Sequence, residues 1–216
     1  NARKVKYMSK ANKSNKAIKY RLYPNDEQKV MFAKTFGCCR FVYNQLLALQ
    51  KQRYKDGESH LSKLKSNEFA TRTLKKDYDF LKEIDKFAVS NAVFHLADAY
   101  DRFFKKQNHF PKFKSKRKSK KSYTTNFTNN NILIGKNVIK LPKVGMVKAV
   151  IHKLPKDDWK LKSVTVSQDS VGNYFASVLF EYEQEDIPSV SKSSTNAIGL
   201  DYKSDGLYMD SNGNKA

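Results

Sequence analysis

Two hydrophobic periods divide this chain. Between residues 26 and 105 apolar side chains recur every three or four positions, whereas beyond Ser122 they recur every second one. The first spacing buries a stripe of a helix and the second buries one face of a strand, so neither stretch can take the other's role. The clearest helix runs from about Lys86 to Lys105. There Val89, Val93, Leu96, Tyr100 and Phe103 step by four, three, four and three onto one face, which reads as the core of a helical bundle. Upstream, Val30, Met31, Phe32, Phe36, Phe41, Val42, Leu46 and Leu49 predict two consecutive helices with a break near Gly37, and residues 67–76 predict a short one. Asn25, with Gln28 three residues on, has the spacing of a capping box.

The period-two segments are 123–128, 132–134, 138–141 and 146–151, parted by Asn, Gly and Pro turns. Residues 164–167 and 174–180 flank Asp169-Ser170-Val171-Gly172-Asn173, a hairpin signal. Residues 17–23 alternate too, with Ile18, Tyr20 and Leu22 against Lys19, Arg21 and Tyr23, until Pro24 stops them. The expected class is α+β: a small antiparallel barrel or sandwich, with the helices of 26–105 inserted after its first strand. Residues 1–17 read as a flexible arm. The acidic stretch 181–188, a Ser-rich linker over 189–196 and a new strand from Ala197 mark a domain boundary.

Charge narrows the partner. Lys and Arg number 42 against 21 acids, a formal net charge of +21. Such an excess costs self-repulsion and favours a polyanion, with nucleic acid ahead of an anionic membrane surface. No apolar run is long enough to span a bilayer and no apolar core of a signal peptide occurs in the first 20 residues, so the chain reads as intracellular. The two cysteines are adjacent, Cys38 and Cys39, which supports neither a disulfide framework nor a zinc site. Between Arg102 and Lys121 lie ten basic residues and no acid, interleaved with Phe103, Phe104, Phe110 and Phe113. Cations there can neutralise phosphates while aromatic rings stack on bases or anchor the loop. The candidates for holding a nucleic-acid backbone are Lys105, Lys106, Lys112, Lys114, Lys116, Arg117 and Lys118.

One segment has a catalytic look. Ala197-Ile198-Gly199-Leu200-Asp201 is a short apolar strand ending in a carboxylate, followed by Leu207-Tyr208-Met209 and a turn at Asp210-Ser211-Asn212-Gly213. Ribonuclease-H-type nucleases place a carboxylate at this point to reach paired divalent cations, which take oxygen ligands. At least two more carboxylates must converge for that chemistry, and the residues up to Ala216 offer none in a suitable context.

Taken in order, the motifs resemble those of TnpB. They are Lys19-Tyr20-Arg21-Leu22-Tyr23-Pro24-Asn25, Cys39-Arg40-Phe41-Val42-Tyr43-Asn44, Asp85-Lys86-Phe87-Ala88, Phe110-Pro111-Lys112-Phe113-Lys114-Ser115-Lys116, Phe127-Thr128-Asn129-Asn130-Asn131-Ile132, Leu141-Pro142-Lys143 and Ile198-Gly199-Leu200-Asp201. The resemblance runs from about residue 16 to 213 and concerns the family's N-terminal half. TnpB is an accessory protein of insertion sequences and an RNA-guided DNA endonuclease related to type V CRISPR effectors.

The resemblance implies a wedge-type β-barrel over 1–25 and 106–195, a helical recognition domain over 26–105, and the start of a RuvC nuclease domain over 196–216. It implies guide RNA and target DNA as partners, no membrane, a place in the prokaryotic cytoplasm at the nucleoid, and Mg²⁺ held by three carboxylates, the first at Asp201. No zinc site is expected in these residues. Recognition of a short DNA motif would fall to Lys86, Phe87 and Thr128, with Ser90 where some members carry a longer amide. Lys203 stands where the family usually has Gly, and Asp205-Gly206 follows. By itself this chain is expected to be inactive as a nuclease. The alternative is a nuclease-deficient, RNA-guided DNA-binding regulator or truncated relative.

Overall fold

Ile18, Tyr20 and Leu22 form the buried face of β1 (Lys13–Tyr23), as their alternation requires. In the computed structural model, which describes residues 13–183, 198–202 and 206–214, β1 is an interior strand of a seven-stranded antiparallel sheet. It pairs with β7 (Tyr174–Glu183) on one side and β5 (Gly145–Val150) on the other. With β2 (Lys121–Asn126), β3 (Leu133–Ile134), β4 (Val138–Leu141) and β6 (Lys160–Gln168) the order is β2-β6-β7-β1-β5-β4-β3. Among the described residues no ladder joins β2 to β3, so the pairing order is open. The α+β class stands.

Residues 13–16, expected in a flexible arm, extend β1 instead: Lys13 to Lys16 pair with Glu183 to Phe180. Ladder hydrogen bonds need only backbone groups, so polar side chains do not end a strand whose partner continues. Glu181 to Glu183, expected in an acidic link, belong to β7 for the same reason. The rest of the arm (1–12), the remaining acidic and Ser-rich positions (184–196), Ala197, Lys203 and Asp205 lie outside the described residues.

Between β1 and β2 come the helices. α1 (Asp26–Lys55) starts at a true capping box: Asn25 Oδ1 accepts from the Gln28 N–H at 2.8 Å, and Gln28 Oε1 accepts from the Asn25 N–H at 3.1 Å. The break expected at Gly37 is absent, and α1 is one helix of 30 residues. Glycine in a helix interior costs about 1 kcal/mol relative to alanine. Burial of Phe36, Cys38, Cys39 and Val42 around it outweighs that. The short helix expected over 67–76 is more irregular. α2 (Lys63–Glu68) passes into a π-helical stretch (Phe69–Leu74) and a last turn, α3 (Lys75–Asp77), and the Thr71 hydroxyl donates to the Asn67 carbonyl at 2.8 Å. α4 (Lys86–Phe104) matches its predicted span, and Val89, Val93, Leu96 and Tyr100 are buried.

Helices and sheet share one core. Phe32, on α1 and fully buried, has its ring 5.4 Å from Tyr174 on β7 and 6.3 Å from Tyr123 on β2. Asn91 of α4 donates to the Thr124 carbonyl at 3.0 Å, tying that helix to β2. Phe32→Ala is therefore expected to cost roughly 3–5 kcal/mol, a large part of a typical domain's ~5–15 kcal/mol. A denaturation midpoint that barely moves would contradict this packing.

β8 (Leu200–Asp201) pairs antiparallel with β9 (Met209–Asp210), Asp201 opposite Met209. Two turns share one sequence logic. In Asp169-Ser170-Val171-Gly172-Asn173 the Asp169 carboxylate accepts from the Val171 and Asn173 N–H groups, at 3.0 and 2.7 Å. In Asp210-Ser211-Asn212-Gly213-Asn214 the Asp210 carboxylate accepts from Asn212 and Asn214, at 2.9 and 2.8 Å. Gly172 and Gly213 both take positive φ, +94° and +86°.

Candidate nucleic-acid interface

The start of α4 and the turn after β2 meet at one hollow. Asp85 caps α4, accepting from the Ala88 N–H at 3.2 Å, and is itself buried. That leaves Lys86 exposed, its ammonium 5.1 Å from the Phe87 ring centre. Thr128 sits in a turn that Asn131 closes: its side chain accepts from the Thr128 N–H at 2.8 Å and donates to the Asn126 carbonyl at 3.0 Å. Asn129 and Asn130 supply the left-handed conformations, φ 46° and 55°, that asparagine tolerates. Lys86, Phe87 and Thr128 thus line the same hollow, rimmed by Lys75, Lys82 and Lys143. Burial pulls the Lys75 ammonium below its usual pKa, against the pull of Asp85. Ser90, one turn along α4 and half-buried, is not in that lining. Of the three rim lysines, Lys75 and Lys82 were not among the residues singled out from sequence, and Lys143 stood there only as part of the Leu141-Pro142-Lys143 motif. Nothing in their local pattern separates them from other surface lysines.

The basic run leaves the end of α4 through Lys105, the helix cap, and Lys106, which adopts φ 57°. The side-chain amide of Asn44 on α1 then grips the backbone of Lys114, accepting from its N–H at 2.8 Å and donating to its carbonyl at 2.9 Å. Ser115 and Ser119 close the following turn. Lys105, Lys106, Lys112, Lys116, Arg117 and Lys118 are exposed and, among the described residues, have no carboxylate partner. Lys114 differs. Its ammonium lies 4.0 Å from the Tyr43 ring centre, and burial lowers its pKa. With Lys116 it lines a small hollow to which Arg40, His95, Lys120 and Lys121 also contribute and which contains no acid. Of the four phenylalanines, Phe104, Phe110 and Phe113 are exposed and Phe103 is half-buried.

Asp201 is exposed at the end of β8, and among the described residues its carboxylate has no hydrogen-bond or ion-pair partner. Its neighbour Asp210 is committed to its own turn, where the Asn214 side chain and then backbone N–H groups hold its carboxyl below the usual range. No group of three or more His, Cys, Asp or Glu suited to a metal occurs among the described residues. One free carboxylate does not make a site for a pair of divalent ions.

The α+β body thus presents cations without carboxylate partners along the 105–118 run, with exposed aromatic rings beside them. A family model described as a helix-turn-helix domain (HTH_OrfB_IS605) matches residues 14–59. Here that span is β1 followed by the unbroken α1, not two helices around a turn. A putative RNA-guided DNA endonuclease of Streptomyces pristinaespiralis is 30% identical over 202 residues, 93% of this chain and 49% of that protein. The putative RNA-guided DNA endonuclease InsQ of Escherichia coli K12 is 29% identical, over 86% of this chain and 44% of InsQ. The virulence protein VsdF of Salmonella dublin is 32% identical over 111 residues, 47% of this chain and 93% of VsdF.

The chain spans about half the length of the two endonuclease relatives. Over the stretch it covers, it is similar to proteins of this RNA-guided endonuclease type. Among the described residues no helix is long and apolar enough to cross a membrane.

Proposed function

We propose that this chain is the nucleic-acid-binding portion of an RNA-guided DNA endonuclease. In this reading the seven-stranded sheet is the wedge-type barrel element, and α1–α4 form the recognition helices. Residues from 196 begin a RuvC-type domain whose Mg²⁺ site takes Asp201 as one ligand and draws its other carboxylates from elsewhere in a complete protein. The exposed cations of the 105–118 run hold guide RNA or heteroduplex through its backbone and leave sequence choice to base pairing. The hollow at the start of α4 reads a short motif in the flanking duplex, with Lys86 contacting a base edge or phosphate and Thr128 a base edge.

The observation that supports this reading most is that Thr128, distant in sequence from the adjacent pair Lys86 and Phe87, lines one lysine-rimmed hollow with them. In a protein carrying the whole nuclease domain and loaded with RNA from its own element, DNA recognition should depend on one short flanking motif. Lys86→Ala with Thr128→Val should weaken motif-dependent binding by at least roughly 5- to 150-fold, the range of one lost base contact. Binding to a motif library that is unchanged by both substitutions would remove this hollow from the reading.

A further inference from the structure

Where the basic run begins, α1 and α4 end beside each other and leave an apolar hollow of about 660 Å³. Its floor is Tyr100, 4% exposed, with Phe103 and Phe110 packed edge-on to one another at 5.2 Å. Phe104 lies nearly parallel to Tyr100, at 6.2 Å and 21°, and is 64% exposed; Tyr54, also lining the hollow, is 85% exposed. The His60 ring stands edge-on to Tyr100 at 4.5 Å, and burial lowers its pKa. The loop carrying His60 is held in place. Gln50 donates to the Leu61 carbonyl at 3.2 Å and accepts from its N–H at 3.0 Å, and Arg53 donates to the Ser59 carbonyl at 3.0 Å.

Large rings left open to water in a pre-formed concavity indicate a ligand, and the surrounding charge says which kind. The lining carries Lys51 and Lys55, and its one acid, Glu58, is already paired with Arg53. The Lys51 ammonium lies 5.5 Å from the Phe110 ring centre and 4.8 Å from that of Phe113, so the hollow is joined to the basic run that follows. An apolar peptide or lipid tail would use the rings and gain nothing from the cations. A single-stranded nucleic acid uses both, since each base has a flat π-face and each link a negative charge. A duplex does not qualify, because its bases are covered by their neighbours.

We propose that this hollow takes one unpaired base of a single-stranded nucleic acid, stacked on Phe104 and Tyr54, while the 105–118 cations follow the adjoining phosphates. This rests on the nucleic-acid reading above and adds a base-stacking site to it.

The test uses the 216-residue chain with oligouridine RNA and oligothymidine DNA of about 12 nucleotides, each with one 2-aminopurine. Binding should quench the probe. Tyr54→Ala with Phe104→Ala should weaken binding roughly tenfold or more and remove the quench, with the salt slope unchanged because no phosphate contact is lost. Tyr54→Phe should retain both. The two rings are exposed, so the double variant should keep the parent's circular dichroism and melting midpoint. A 4-thiouridine RNA should cross-link to Tyr54 or Phe104, and comparing the two oligonucleotides tells which strand type is held. Parental affinity and quench in the double variant would overturn the site while leaving nucleic-acid binding intact. No binding of either oligonucleotide by the parent chain would overturn the site and the underlying reading together.

Discussion

Replacing Lys112, Lys116, Arg117 and Lys118 together with glutamine is expected to lower the affinity for single-stranded RNA by up to roughly 600-fold near 0.1 M salt. Each phosphate neutralised on a single strand releases about 0.7 of a counterion, so four lost contacts reduce the slope of log affinity against log salt by about 2.8. At ~0.1 M salt that slope corresponds to about 10^2.8 in affinity, an upper value because neighbouring cations such as Lys105 and Lys106 take up part of the charge. The substitutions should spare the fold, since these side chains are exposed and have no carboxylate partner among the described residues. Lys114 is left intact because its ammonium packs on Tyr43 and its backbone is gripped by Asn44. The measurement is a binding titration repeated over a salt series. A slope equal to the parent's would show that this turn does not carry the phosphate contacts.

The other large effect concerns Asp201. In a protein carrying the complete nuclease domain, Asp201→Ala should reduce guided DNA cleavage to background and leave guided binding unchanged. The geometry distinguishes it from Asp210, the nearest carboxylate along β9. Asp201 is exposed with no partner among the described residues, and so is available to a cation. Asp210 already accepts from Asn212 and Asn214, and its removal should loosen the turn before it alters any chemistry. Gel-based cleavage and binding assays on both variants separate the roles. Cleavage that survives Asp201→Ala would exclude it from the site. The 216-residue chain alone should cut nothing, and Mg²⁺-dependent cutting by it would refute the proposed division of ligands.

Much of the local structure could be read directly from residue order. The four-three-four-three stripe of α4, the alternation of β1, the Asn25–Gln28 capping box and the Asp169–Asn173 hairpin all arise from interactions between near neighbours. The unbroken α1 did not. Whether Gly37 breaks a helix depends on a penalty of about 1 kcal/mol set against burial, and the neighbours that bury Phe36 and Cys39 beside it include Tyr123 and Ala88, which are distant in sequence. Residues 13–16 likewise owe their strand to β7.

The same division holds for the surface. The sequence alone determined that the chain is strongly basic, that its cations crowd between residues 102 and 121, and that Phe side chains lie among them, because composition and order are local properties. It could not say which rings face water, that Lys114 packs on Tyr43, or that Tyr54 and His60 join Phe104 around one hollow. Nor could it bring Thr128 to the start of α4. Those relations link residues tens of positions apart, and only the shared core of helices and sheet brings them together.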